Sequence, residues 1–451
     1  MINVHPHSSA LLTDLYQLTM LQGYYEQGME QTAVFEFFVR SLPRQRNFLL
    51  AAGLEQLLVF LEELHLTQDD LDWLDNTHRF RKDFVDYLAA LRFGGDVDAA
   101  PEGTVFFPDE PIVRVVAPLP QAQLVESRLI NLIHFQTLIA SKAVRCALAA
   151  PDKLLVDFGL RRAHGAEAGL LAARASYLAG LSGTATVLAG TLYDIPVFGT
   201  MAHSFIEAHD NEVDAFEHFA RAQPNNVVLL IDTYDTEAAA KKVVALAGRL
   251  HENGIRVIGV RIDSGDLAEH ARRVRRILDA GGLRDTTIFA SGNLDEYALQ
   301  SLAKQNAPID GFGIGTRLDT SADAPYLDCA YKLQEYAGQP RRKKSEGKAT
   351  WPGRKQVYRY LDDAGHLHHD VLTTVDDIRD GEALLQPVMR SGRRVVATEP
   401  LARLRERTAA ELQRLAVPFT RLEQAPAYTV EVSQRLRDVT RAFDRHAGAG
   451  G

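Results

Sequence analysis

The sequence has few cysteines, no excess of positive charge and no long apolar run, and each shortage excludes a class of protein. Cys146 and Cys329 are the only cysteines among 451 residues, which excludes a disulfide framework and favours a reducing compartment. The net charge of −9 argues against non-specific binding to nucleic acid. No apolar run approaches the roughly 18 residues of a membrane span, and residues 1–8 lack a signal-peptide pattern. We therefore expect a globular cytoplasmic protein with neither nucleic-acid nor membrane partners.

Short apolar strands alternate with helices in the middle of the chain, between residues 141 and 335. The pattern predicts strands at residues 154–158, 227–231, 257–262, 287–290 and 309–314. Strand starts near 227, 257 and 287 recur at roughly thirty residues, the length of one strand–helix unit. Such units form either an open sheet or a barrel. We favour an irregular α/β barrel, because polar residues follow each strand and no single glycine-rich turn dominates.

The two ends of the chain follow a different pattern. Residues 1–140 do not alternate regularly and predict an α+β module, with a helix over residues 48–64. A long helix over residues 124–150 leads into the barrel. Residues 355–374 predict a hairpin, and residues 397–415 and 430–443 predict amphipathic helices.

Charged residues and glycines follow the predicted strands, at the edge where α/β proteins carry out their chemistry. Arg261 and Asp263 stand two residues apart at the end of one strand and point the same way. Arginines such as Arg161 and Arg261 suit a planar anion such as a carboxylate. Two glycine turns on late strands suit a phosphate, and they contain Ser291, Gly292, Asn293, Gly313, Gly315 and Thr316.

Each of these patterns also has a purely structural interpretation. Asp263 can simply cap the helix that follows it, and a G-x-G-x-G segment is often only a tight turn. His203 can act as a base or a nucleophile, although a histidine near a strand end is often structural. A phosphosugar aldolase is disfavoured, because none of these strand ends has a lysine for a Schiff base.

Seven motifs in order carry a resemblance to a known family. They are T-D-L-Y-Q-L-T-M (13–20), D-F-G-L-R-R (157–162), G-T-M-A-H-S-F (199–205), I-D-T-Y-D-T (231–236), G-V-R-I-D-S-G-D-L (259–267), A-S-G-N-L-D-E-Y (290–297) and G-F-G-I-G-T (311–316). Together with the basic segment at residues 344–359, they resemble the nicotinate phosphoribosyltransferases. The resemblance runs from about Leu11 to the C-terminal helices, which is nearly the whole chain.

The resemblance implies both a fold and a reaction. The fold would be the irregular barrel, type II phosphoribosyltransferase-like, over residues 141–335, beside a mixed α+β domain made from residues 1–140 and 345–451. The enzyme would join nicotinate to 5-phosphoribosyl pyrophosphate, giving nicotinate mononucleotide and pyrophosphate in NAD salvage. ATP would be a co-substrate, giving ADP and phosphate.

The resemblance also implies roles for single residues. Phe158 would stack on the pyridine ring, with Arg161 and Arg261 holding the ring and its carboxylate. Tyr16 would reach the same ring from a neighbouring subunit, which implies a homodimer with shared active sites. Asp263 would bind the ribose, and the 5-phosphate would lie on Ser291, Gly292, Asn293, Gly313, Gly315 and Thr316. The pyrophosphate or ATP would meet Arg40, Lys344, Lys348 and Lys355.

ATP coupling would depend on a phosphohistidine. The resemblance implies that ATP phosphorylates His203 and that Asp232 orients its imidazole. Mg²⁺ would accompany the pyrophosphate, and because no Asp/Glu cluster predicts a metal cage, its protein ligands stay undefined.

The relative to distinguish is nicotinamide phosphoribosyltransferase, which has an aspartate in the motif G-T-D-T-V. Residues 183–187 read G-T-A-T-V here, with Ala185 at that point. An aspartate would repel a carboxylate, whereas alanine tolerates it, so nicotinate is favoured over nicotinamide.

Overall fold

The computed structural model describes residues 9–448, with side chains up to Arg445, and it consists of two compact units. The first unit is built from both ends of the chain, up to Leu138 and from Tyr326 onward, and the second spans Ile139–Pro325. Residues 1–8, which lack a signal-peptide pattern in the sequence, lie outside the described residues. Within residues 9–448, no helix combines the length and the apolar character of a membrane span. The domain boundaries expected from the sequence, with residues 1–140 and 345–451 in one domain and 141–335 in the other, stay predictions.

The N-terminal part mixes helices and strands as the sequence predicts. Its elements are α1 Leu15–Glu26, β1 Thr32–Val39, β2 Leu49–Leu50, α2 Leu54–Glu63, α3 Gln68–Asn76, α4 Lys82–Ala90, β3 Asp96–Ala99, β4 Val105–Phe106, β5 Val113–Pro118, α5 Leu119–Leu124 and α6 Glu126–Ala149. The helix expected from residue 48 begins only at Leu54, because Leu49 and Leu50 pair with β4. The long helix α6 carries the chain into the second unit.

The second unit repeats strand and helix. Its elements are β6 Leu154–Asp157, a 3₁₀ turn Leu160–Arg162, α7 Ala166–Leu178, β7 Gly183–Thr184, α8 Val187–Tyr193, α9 His203–Glu207, α10 Glu212–Ala222, β8 Val227–Leu230, α11 Thr236–Glu252, β9 Val257–Ile262, α12 Leu267–Ala280, β10 Thr287–Ala290, α13 Glu296–Lys304, β11 Gly311–Ile314 and α14 Thr316–Asp319. All five predicted strands are present, and the sequence missed β7.

The six strands of the second unit form one parallel sheet in the order β7-β6-β11-β10-β9-β8. Because β7 and β8 are its two edges, the sheet is a half-barrel, and the predicted irregular α/β barrel is confirmed in that form. Parallel pairing brings every carboxyl end to one edge. The residues after β6, β9, β10 and β11 therefore lie together.

The C-terminal part returns to the first unit. It contains β12 Cys329–Tyr336, β13 Gln339–Pro340, β14 Lys355–Leu361, β15 Leu367–Thr374, β16 Glu382–Ala383, β17 Gln386–Arg390, β18 Arg393–Arg394, α15 Leu401–Gln413, α16 Val417–Thr420, β19 Val430–Val432 and α17 Gln434–Gly448. The predicted hairpin is β14 with β15. The helix expected from residue 430 begins at Gln434, because Val430–Val432 pairs in parallel with β15.

The first unit is held together by pairing between the two chain ends. Its main sheet has the antiparallel order β13-β12-β1-β5-β3-β17-β18, in which β1 pairs with β12. Seven of the eight residues of β1 are buried. In the second sheet, Arg359 is fully buried and pairs with Asp370 at 2.7 Å. Such a buried charge is tolerated because its donors are satisfied.

Candidate active site

The carboxyl ends of the parallel strands line a cavity of about 490 Å³ in the second unit. Eleven residues line it: Phe158, Arg161, Arg162, Arg261, Asp263, Ser291, Gly292, Asn293, Gly313, Gly315 and Thr316. Ten of them are site residues expected from the sequence. The eleventh, Arg162, was not among the expected site residues. Its signal was present in the sequence, since it directly follows Arg161.

Arg261 lines the cavity and is held there by several hydrogen bonds. Its guanidinium donates to the hydroxyls of Ser291 and Thr200, at 3.0 and 3.2 Å, and to the Met201 carbonyl at 3.2 Å. It also pairs with Asp263 at 3.1 Å and lies 5.5 Å from the centre of the Phe158 ring. Burial lowers the pKa of Arg261, although Asp263 opposes the shift. The arginine thus fixes both an aromatic ring and a carboxylate at the cavity.

Arg161 and Arg162 carry the free positive charge of the cavity. Both belong to the 3₁₀ turn Leu160–Arg162 that follows β6. Among the described residues, neither makes a salt bridge, whereas Arg261 does. A guanidinium without a protein partner is available to a planar anion.

Two glycines, Gly292 in the turn after β10 and Gly313 within β11, leave room that a side chain would fill. Gly292 has φ of +99°, and a Cβ there would lie 2.1 Å from the Asp263 carbonyl oxygen. A Cβ at Gly313 would lie 2.5 Å from the Phe158 ring. Backbone amides at such turns can approach phosphate oxygens closely.

His203 begins the short helix α9, and two side chains orient its ring. Its Nδ1 lies 3.0 Å from the Thr233 hydroxyl, and its Nε2 lies 3.2 Å from Asp263 Oδ1. The sequence interpretation assigned this orienting role to Asp232. Instead, Asp232 Oδ2 accepts from the Asp263 N–H and from the Ser264 hydroxyl, both at 2.7 Å.

One group of side chains has the geometry of a cation site. His203, Asp232 and Asp263 each offer a ligand atom, and these atoms lie within 4.8 Å of one another. Asp232 Oδ1 is buried without a hydrogen-bond partner among the described residues. Two carboxylates suit Mg²⁺, which prefers oxygen ligands and keeps several waters.

The other residues expected at the site belong to the first unit. Tyr16 is 49% exposed on α1, and Arg40 pairs with Asp328 at 2.9 Å. Lys344 pairs with Asp444 at 3.1 Å, and the side chain of Lys348 makes no ion pair within the described part of the chain.

Lys355 differs from what the sequence suggested. It is 3% exposed, pairs with Glu36 at 2.7 Å, and donates to the carbonyls of Trp351 and Gly353. Burial lowers its pKa, while Glu36 opposes the shift. Its ammonium therefore serves the core of the first unit and is not presented to a ligand.

The half-barrel and its cavity define a class of protein. An aromatic ring and unpaired arginines stand beside two amide-rich turns at the carboxyl edge of a parallel sheet. This arrangement is typical of barrel enzymes that bind a phosphorylated, anionic substrate.

Family models and relatives make the class specific. Residues 11–134, 154–348 and 379–440 match the N-terminal domain, the main family and the C-terminal domain of nicotinate phosphoribosyltransferase, respectively. The chain is 47% identical over 435 residues to a nicotinate phosphoribosyltransferase of Mycobacterium tuberculosis, covering 96% of this chain and 93% of that protein. It is 33% identical to the human nicotinate phosphoribosyltransferase, with 95% of each protein covered.

Solved structures agree with this assignment. The crystal structure of human nicotinic acid phosphoribosyltransferase superposes with a TM-score of 0.87 at 31% identity, covering 96% of this chain and 99% of that one. A nicotinate-nucleotide pyrophosphorylase from Pyrococcus furiosus superposes with a TM-score of 0.74 at 25% identity, covering 92% and 97%. The chain belongs to the nicotinate phosphoribosyltransferase family, whose reaction is the phosphoribosylation of nicotinate in NAD salvage.

Proposed function

We propose that this chain transfers the 5-phosphoribosyl group from phosphoribosyl pyrophosphate to nicotinate and couples the transfer to ATP hydrolysis. The products are nicotinate mononucleotide, pyrophosphate, ADP and phosphate. The observation that carries the proposal is the cavity, which places an aromatic ring and free arginines beside two amide-rich turns.

Nicotinate binds at the Phe158 end of the cavity in this proposal. The pyridine ring stacks on Phe158, and Arg161, assisted by Arg162, holds the carboxylate. The Arg261 guanidinium already donates hydrogen bonds to four protein groups. In this proposal it therefore forms a wall of the nicotinate subsite and contacts the edge of the pyridine ring. An anion between two unpaired guanidiniums gains charge-assisted hydrogen bonds that nicotinamide cannot match.

The phosphoribosyl group lies across the other end of the cavity. Asp263 accepts from the ribose hydroxyls, and the backbone of the turns at residues 291–293, 313 and 315–316 holds the 5-phosphate. Breaking the bond between C1 and pyrophosphate leaves positive charge on the ribose and negative charge on the leaving group. A fixed pyridine nitrogen near C1 and cations at the pyrophosphate lower that barrier.

Arg40 and Lys348 are the proposed pyrophosphate contacts. The Lys348 side chain makes no ion pair among the described residues, and Arg40 Nε is buried without a hydrogen-bond partner. Lys344 would first have to leave Asp444. We exclude Lys355 from this set because its ammonium is buried.

His203 is the proposed phosphate acceptor. A ring nitrogen attacks the γ-phosphorus of ATP, the bond to the bridging oxygen breaks and ADP leaves; water later cleaves the P–N bond to release phosphate. The side chain is 36% exposed, so ATP can reach it, and Thr233 and Asp263 hold both ring nitrogens. Because Asp263 is also the proposed ribose ligand, its contact with His203 places the histidine next to the ribose subsite.

Asp232 and Asp263 are the proposed ligands for Mg²⁺. The unpartnered oxygen Asp232 Oδ1 fits a cation in this place. When bound, the ion would supply positive charge that offsets the substrate phosphates. The protein contributes the fixed carboxylates.

The active form in this proposal is a homodimer with shared active sites. Leu12, Leu15 and Tyr16 are 44–49% exposed on the first unit. On the second unit, Val187, Leu188, Leu192 and Val197 are 48–72% exposed and form a second apolar patch. Two different patches suit a head-to-tail arrangement of two copies, in which Tyr16 reaches the partner's nicotinate. We place the reaction in the cytoplasm, where the free thiols of Cys146 and Cys329 would persist.

The test is product formation from labelled nicotinate or nicotinamide with phosphoribosyl pyrophosphate and Mg²⁺, with and without ATP. We expect nicotinate mononucleotide, more of it with ATP, and loss of the ATP effect in His203→Ala. Turnover of nicotinamide in preference to nicotinate would contradict the assignment of the arginine subsite. The matched control is His251→Ala, because this histidine lies outside the cavity. This variant should keep full ATP stimulation.

A further inference from the structure

We propose that Asp157 and Asp319 share one proton and that this pair is a positioning element, joining the turn that holds the base to the turn that holds the phosphate. The inference rests on the proposed function for the roles of those two turns. The shared proton itself rests on the geometry of the second unit alone.

The two carboxyl groups lie in the interior of the second unit, at Gly159. Both residues are 1% exposed. The Asp319 carboxyl packs against the backbone of Gly159, where a Cβ would lie 2.1 Å from Asp319 Cγ. No N–H or O–H group of the described residues donates to either oxygen of Asp319. The carboxyl of Asp157 lies at the same glycine, because its Oδ1 accepts the Gly159 N–H at 2.7 Å. Two ionised carboxylates cannot occupy such a site together.

The surroundings decide which of the two carries the proton. Asp157 Oδ1 accepts the Gly159 N–H and its Oδ2 accepts the Thr184 hydroxyl, both at 2.7 Å. Two donors stabilise a carboxylate, so Asp157 is the ionised partner. Asp319 lacks such donors and carries the proton, which it donates to Asp157.

The pair connects the subsites that the proposed reaction uses together. Asp157 directly precedes Phe158, and its backbone carbonyl accepts from the Ala185 N–H at 2.8 Å. Asp319 ends α14, which begins at Thr316 of the phosphate turn. The Phe158 N–H donates to the Ile314 carbonyl at 2.7 Å beside the pair. Loss of the shared proton would therefore loosen both turns at once.

The pair makes substrate binding depend on pH. Burial, reinforced by Asp157, raises the pKa of Asp319 well above its usual value. A raised acid pKa stabilises the folded state fully below the ordinary aspartate pKa, and this contribution is lost as the pH rises through the folded-state pKa. Asp157 faces Asp319 from the end of β6, and the Thr184 hydroxyl of β7 donates to Asp157 Oδ2. The other packed elements carry Arg161 and Arg162 on the 3₁₀ turn, and Glu167 and Arg174 on α7.

The first measurement detects the proton without any catalysis. Infrared spectroscopy of the full chain at neutral pH should show the C=O stretch of a buried protonated carboxyl. We expect Asp319→Asn to remove this band, because its amide replaces the acid. Asp285→Asn, the same change at an exposed aspartate, should keep it. Because Glu110 is another buried carboxyl whose pKa is raised by burial, the band is read in the wild-type minus Asp319→Asn difference spectrum. The absence of a carboxylic acid band from that difference spectrum would overturn the shared proton.

The second measurement tests the positioning role by steady-state kinetics across pH. In the wild type, KM for both substrates should rise at alkaline pH. Asp319→Asn keeps a donor of the same size, so its KM should match the wild type at neutral pH and lack the alkaline rise. Asp319→Leu has no donor, and we expect both KM values to rise roughly tenfold with kcat changed by less than about twofold.

Two kinetic results would overturn the positioning role. One is an alkaline rise that survives in Asp319→Asn, and the other is a folded Asp319→Leu variant with wild-type KM values. A wild-type protein that forms no nicotinate mononucleotide would instead overturn the proposed function, and the infrared band would still decide whether the proton is shared.

Discussion

At the scale of the residue, the cavity is distinguished by the partners that its arginines have or lack. Arg261 donates to four protein groups and is committed to the structure of the site. Arg161 and Arg162 make no salt bridge among the described residues, so their charge remains available to a ligand. Affinity for a carboxylate should therefore depend on Arg161 and Arg162 more directly than on Arg261.

We expect Arg161→Lys to raise KM for nicotinate by about tenfold or more, because lysine keeps the charge but loses the paired N–H groups that match a carboxylate. The preference for nicotinate over nicotinamide, measured as the ratio of their kcat/KM values, should fall with it. Arg221→Lys is the matched control, since that arginine is 54% exposed and pairs with Glu217 on its own helix. If Arg161→Lys and Arg221→Lys had equal KM values for nicotinate, Arg161 would not bind the nicotinate carboxylate.

At the scale of the element, the proposed phosphate site depends on one turn whose backbone only glycine allows. The turn after β10 places Gly292 against the Asp263 carbonyl oxygen at the end of β9. The turn thus sets the spacing between two neighbouring strand ends. A side chain there would displace backbone and not merely another side chain.

We expect Gly292→Ala to raise KM for phosphoribosyl pyrophosphate at least tenfold, roughly the effect of a lost charge-assisted contact. Gly282→Ala separates this effect from ordinary backbone strain. Gly282 also has a positive φ, of +78°, but no atom lies within 4 Å of a Cβ built there. Gly282→Ala should lose about 1–2 kcal/mol of stability, and Gly292→Ala should lose more because its Cβ meets the Asp263 carbonyl oxygen. Denaturant melts measure both losses, while only Gly292→Ala should change KM. Similar KM changes in the two variants would refute the close-approach argument.

At the scale of the whole molecule, each unit leaves an apolar patch uncovered. One patch contains Tyr16, and the other is centred on α8, where Val187 is 72% exposed. Patches of this kind mark association surfaces. If they meet between two copies, each active site needs residues from both chains.

Mixing two inactive variants tests this directly. Tyr16→Ala and His203→Ala should each have low ATP-stimulated activity, but a mixed dimer would hold one site free of both changes. Random exchange of subunits should restore about a quarter of wild-type activity, because half of the dimers are mixed and each has one intact site. Activity that stays at the level of the separate variants after exchange, verified by mass measurement of tagged chains, would contradict shared sites.

Much of the site follows from the sequence for a physical reason. Strand periodicity is local, and parallel strands linked by helices must bring their carboxyl ends to one edge. Ten of the eleven cavity residues could therefore be predicted from strand ends and motifs. The sequence wrongly predicted helix at Leu49–Leu50 and Val430–Val432. These segments are strands because pairing with a distant strand overrides their helical pattern.

The sequence by itself determined the repeating strand–helix units, the mixed chain ends and the family of this protein. Only the tertiary structure decided which side chains meet. It gave His203 the partners Thr233 and Asp263, buried Lys355 against Glu36, and placed the carboxyls of Asp319 and Asp157 together at Gly159. Periodicity cannot reveal these contacts, because they join residues 30 to 319 positions apart, whose meeting depends on how whole elements pack.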